Sequence, residues 1–115
     1  MNKILVEVSV GELLDKISIL EIKKEKIKDT DKLKFINDEL NILNDQFKKG
    51  VKTDDKLNQL FKSLKEINAK LWLIEDEKRM YEKNSDFGQK FIKVSRKLYL
   101  RTRCILISRI AKENF

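Results

Sequence analysis

The chain has 115 residues, the length of one domain, with 41% hydrophobic and 39% charged residues and a net charge of +7, a globular balance at a length that buries about two thirds of its unfolded surface. It holds no histidine and one cysteine, Cys104, which removes imidazole bases, Ser-His and Cys-His pairs, disulfides and the usual metal knuckles. Three glycines and no proline leave too few turns for an all-β domain and no glycine-rich phosphate loop.

Residues 3–8 alternate, with Ile4, Val6, Val8 and Val10 on one side, and read as a short extended strap or strand. A lone strand needs a partner, either the helices or its own copy in a second subunit. No secretory signal fits, because Glu7 interrupts the apolar run. No stretch approaches the ~20 apolar residues that span a bilayer. A cytoplasmic, reduced setting is expected, with Cys104 as a small buried apolar residue.

Ser9-Val-Gly-Glu12 is a capping box and predicts a helix over 10–28. Leu13, Ile17, Leu20 and Ile27 recur along its face, widened by Leu14, Ile19 and Ile22. Asp15, Lys16 and Glu21 lie beside that seam and read as its charged rim. The block from Lys23 to Lys28 reads as a solvated face, with cations at the end the dipole favours.

Thr30 then caps a second helix over 31–48, whose Leu33, Ile36, Leu40, Leu43 and Phe47 make a coiled-coil-like heptad seam. Gly50 follows where a left-handed C-cap is expected. A third helix over 54–83 repeats the seam through Leu57, Leu60, Leu64, Ile67, Leu71, Ile74, Lys78 and Tyr81. Asn84-Ser-Asp86 stops it, and Ser85 or Asp86 caps a fourth over 87–112. The seam of that last helix begins Phe87, Phe91, Val94, Leu98 and then meets Arg101. Its span 98–111 is apolar nearly all round, which predicts burial on several sides.

Short loops force antiparallel neighbours, so the fold class is all-α: a single up-and-down antiparallel bundle of four helices in two hairpins. The third helix spans roughly 45 Å against about 28 Å for the first two. That mismatch leaves apolar seam uncovered and predicts a homodimer.

The charge is local. Residues 88–115 carry eight cations and one anion, whereas residues 1–87 hold eighteen of each. Lys90, Lys93, Lys97 and Arg101 run along one side as a basic strip, the pattern of backbone neutralisation in nucleic-acid binding. No helix-turn-helix pattern or RNA-binding aromatic motif accompanies it, which makes that partner a distant alternative.

A second polar feature lies on the third helix. Asn68, Trp72, Glu75 and Arg79 fall at steps of four, three and four and form one stripe, with Asp76 beside it. Folding the fourth helix back sets Trp72 and Glu75 against Ser95, Arg96 and Tyr99, with Arg103 a turn beyond. Such a groove suits a small anionic or planar ligand, since arginine takes carboxylate or phosphate and tryptophan stacks. The plainer reading is an interhelical Glu75–Arg96 ion pair beside a core aromatic.

The opening Ile4-Leu-Val-Glu-Val-Ser-Val-Gly-Glu-Leu-Leu-Asp-Lys-Ile-Ser-Ile-Leu-Glu-Ile-Lys23 resembles the start of a family of small bacterial and phage proteins with no assigned function. The resemblance continues over Leu64 to Asp76 and from Phe87 through Arg96 to Tyr99. Beyond Tyr99 the family tends to carry an Asn-Asp pair and further Arg and Lys, where this chain has Arg101-Thr-Arg-Cys-Ile-Leu-Ile. The resemblance implies no activity.

The leading expectation is a non-enzymatic helical interaction or assembly module without cofactor or metal. The alternative is a ligand-binding protein or small bundle enzyme using Glu75, Arg96, Tyr99 and Lys16. Chorismate-mutase-like bundles are an architectural likeness for that alternative, although the first helix here lacks the arginine such sites use.

Overall fold

The computed structural model describes the backbone of residues 7–84 and 89–113, with side chains over 7–79 and 92–112. Four helices fill it: α1 (Val10–Lys26), α2 (Thr30–Gly50), α3 (Asp55–Asn84) and α4 (Gln89–Glu113). No strand occurs among the described residues. Most of the extended segment expected over 3–8 lies outside them, and Glu7 and Val8 are exposed and non-helical.

Side chains at the helix starts account for the starts. Ser9 Oγ accepts the Glu12 amide at 3.1 Å, as the capping box predicts. At α2 the cap is Asp29 rather than Thr30: its carboxylate takes the amides of Asp31 and Lys32, and Thr30 is the first helical residue. Asp54 caps α3 through the Leu57 amide at 2.7 Å. Gly50 is not a left-handed cap. It closes the last turn of α2, and the extended Val51 ends the helix by donating its N–H to the Phe47 carbonyl.

The connections run up, down, up, down. Gly11 of α1 lies against Ile107 of α4 and Asp15 against Arg103, so α1 and α4 are antiparallel. Lys70 stands over the Tyr99 ring and Glu75 meets Arg96, so α3 and α4 are antiparallel too. The bundle is lopsided. α1 packs against all three other helices, whereas among the described residues α2 packs against α1 alone.

The core sits where α1 faces the rest: Leu14, Ile17 and Leu20 meet Ile36 and Leu40 of α2, Leu57 and Leu64 of α3, and Leu106 and Ile110 of α4. The α3 seam is buried as its heptads predict, at Leu57, Leu64, Leu71 and Ile74. On α4 the expectation fails. The seam Val94, Leu98, Arg101 faces solvent, Val94 and Leu98 being 59% and 60% exposed. The inward side is a second heptad track through Ile92, Tyr99, Arg103, Leu106 and Ile110. Phe91 and Tyr81 fall outside the described side chains, and Phe87 and the caps Ser85 and Asp86 outside the described residues.

One close approach fixes how α1 meets α4. A Cβ on Gly11 would overlap the Ile107 carbonyl oxygen, so only glycine lets these backbones come together. One turn further along α1, and one turn back along α4, lies the pair described next.

Candidate functional site

Asp15 is a buried carboxylate, 7% exposed, on the side of α1 that faces both α3 and α4. Arg103 reaches it from α4 with two donors: Nε to Oδ1 at 2.9 Å, and a terminal nitrogen to Oδ2. This two-point fit holds a guanidinium more firmly than a single contact. Asn68 of α3 donates to Asp15 Oδ1 at 2.9 Å and to Ser18 Oγ at 2.7 Å. Ser18 in turn donates to the Asp15 carbonyl at 2.7 Å. The network therefore ties three helices together, and no buried side-chain polar atom among the described residues is left unbonded.

Hydrogen bonding to Asp15 is the largest influence on Arg103 and raises its pKa, against an opposing desolvation. Lys65 of α3 meets Glu25 at 3.0 Å and Glu21 at 3.3 Å on α1. Its pKa is raised as well, first by the hydrogen bond to Glu25.

Beside this network runs an open groove of about 520 Å³ between α1, α3 and α4. Ile19, Leu71 and Leu100 supply apolar wall, and Asn68, Trp72, Glu75, Lys78, Arg79, Arg96 and Arg103 supply the rest. The predicted α3 stripe thus does line one groove, and Arg96 and Arg103 face it. Two predicted members stand apart. Asp76 pairs with Arg79 at 2.8 Å, and Tyr99 lies under the Lys70 ammonium, 5.5 Å from the ring centre. Glu75 and Arg96 form an ion pair in which both side chains keep more than a third of their surface exposed.

The sequence places Asp15 on the charged rim; in the structure it is instead the anchor of the network, because Arg103 comes to meet it. Glu21 does sit at the rim, holding Lys65, and Lys16 is exposed. In the basic strip Lys93, Lys97 and Arg101 are exposed, while the Lys90 side chain lies outside the described ones. Cys104 is exposed rather than buried, since it too lies away from the inward track of α4. Among the described residues no three His, Cys, Asp or Glu side chains group to hold a metal ion, and no helix is long and apolar enough to cross a membrane.

Fold and site define a small four-helix bundle locked by a buried Asp-Arg-Asn-Ser network, with its charged groove largely paired within itself. The chain belongs to the family of unknown function DUF6165, whose model matches residues 4–112 and so runs well past Tyr99. Comparison with curated proteins and with solved structures gave no match.

Proposed function

We propose that the protein is a helical assembly module that associates with itself through the outer face of α4. The observation that carries this reading is the exposed seam Val94, Leu98 and Ile105, which are 59%, 60% and 51% exposed. Steps of four and seven put all three on one helical face. An exposed apolar row of this kind on one side of a helix, with Arg101 set into it, fits a contact site better than singly scattered surface leucines do. The groove supports the same reading by its pairing. Arg96 is engaged by Glu75, and Arg103 by Asp15, so neither is held open for a ligand. The reading implies no nucleophile and no cofactor.

Leu98→Glu places a charge in the middle of the face. Light scattering after size exclusion should show the variant at a lower mass than the parent chain with its helical content unchanged. Equal masses for the two would refute the reading.

One observation favours a second reading: the half-buried Trp72 shares the groove with Arg79 and Arg96. A planar anion could stack there and draw Arg96 away from Glu75. A thermal-shift screen of nucleotides, sugar nucleotides and organic acids tests this, with Arg96→Ala expected to abolish any shift. Silence across the screen leaves the assembly reading alone. Nucleic-acid binding by Lys93, Lys97 and Arg101 would show as a salt-dependent shift of labelled duplex, and none is expected.

A further inference from the structure

We propose that the outer face of α4 docks on the outer face of α2 of a second copy, because the two carry the same apolar spacing with opposite charge between. The proposal rests on the self-association reading and names the surface that α4 meets. On α2, Phe35 and Ile42 stand a heptad apart, 76% and 50% exposed. Asp38 and Glu39 lie midway between them, with Asp31 and Asp45 beyond, and all four are exposed. Lys32 and Lys49 occur toward the two ends of this face, and the exposed Lys34 lies at its edge beside Phe35, so the acids predominate between Phe35 and Ile42. On α4, Leu98 and Ile105 also stand a heptad apart, with the exposed Arg101 midway and the exposed Lys97, Arg109 and Lys112 around them.

A heptad is about 10.5 Å along a helix. Leu98 and Ile105 therefore match Phe35 and Ile42 whether the helices cross parallel or antiparallel. In both directions Arg101 falls at the Asp38 and Glu39 carboxylates, a pairing arginine serves well. Among the described residues neither set of charges is spent on an ion pair within the chain.

The obvious competitor is a symmetric contact of α4 with α4. It would bring two copies of Arg101 together among the cations Lys97, Arg109 and Lys112, and the described side chains of α4 include no acid to relieve them. Like charges brought together oppose association. The fold also leaves the receiving surface clear, since among the described residues the closely approaching neighbour of α2 is α1, and α2 does not meet α4 of its own chain. Because the two faces are different surfaces, the contact is made twice in a closed two-fold dimer or repeats head to tail.

The test is sedimentation of the full chain and two charge reversals, Arg101→Glu on one face and the double Asp38→Lys/Glu39→Lys on the other. All these sites are exposed, so circular dichroism should report unchanged helix. Each reversal alone should weaken self-association about tenfold or more. Mixed in equal amounts, the two variants should associate again, since every contact between them joins opposite charges. A parent chain that associates while neither reversal weakens it, or a mixture that fails to recover, overturns the α2–α4 pairing and leaves association through α4 standing. A parent chain that stays monomeric overturns both.

Discussion

Asp15 and Arg103 show how far one residue's role depends on a neighbour 88 positions away. On a helical wheel Asp15 borders the apolar stripe of α1, and bordering charges are usually solvated. Only the arrival of Arg103 and Asn68 makes it the polar centre of the bundle. Asp15→Ala leaves the partly buried Arg103 unpaired and takes an acceptor from the buried Asn68, so it should cost about 1–3 kcal/mol in urea unfolding. Arg103→Met in the same background should recover part of that loss, and a double variant no better than the single would contradict the pairing. Lys65 gives a pH signature. Its pKa is raised above the ordinary 10.5 by Glu25 and Glu21. Its folding contribution is therefore complete below the unfolded value and is lost as pH rises through the folded one. Stability should fall in that alkaline window, and Lys65→Met should flatten the fall.

At the scale of elements, much of the fold is legible because the helices announce themselves. The heptads of α3 place Leu57, Leu64 and Leu71 inside as their spacing predicts. The face of α4 is not legible, for a physical reason. That helix carries two heptad tracks, each interrupted by an arginine, and the better apolar track is the outer one. Which arginine can turn inward depends on an acid waiting on another helix, and Asp15 waits for Arg103 rather than Arg101. The α2 cap is ambiguous in the sequence for a smaller reason: Asp29 and Thr30 are adjacent cap formers, and the Asp29 carboxylate takes two amides. Asp29→Ala should cost about 1 kcal/mol while Thr30→Ala costs little, measurable by thermal unfolding. Gly11→Ala is the sharper test of the α1–α4 crossing. Alanine favours a helix by about 1 kcal/mol. Here it meets the Ile107 backbone, and overpacking of about 1–3 kcal/mol opposes that gain. A net loss of stability is expected, and a more stable variant would mean that the two helices are not this close.

For the whole molecule, the net charge of +7 takes on a definite shape. Two of the C-terminal cations, Arg96 and Arg103, are spent on Glu75 at the groove and on the buried Asp15. Lys93, Lys97, Arg101, Arg109 and Lys112 remain on the surface. Three of them, Arg101, Arg109 and Lys112, share the helical side of Leu98 and Ile105. The excess is thus neither a diffuse attraction for anions nor wholly absorbed within the fold. It edges an apolar face that a single copy leaves uncovered.

Sedimentation equilibrium of the unmodified chain, from dilute solution into the high micromolar range, tests that conclusion most directly. The account predicts a mass that rises with concentration above the 13.7 kDa of one chain and falls back at high salt. A single species of 13.7 kDa at every concentration would contradict it.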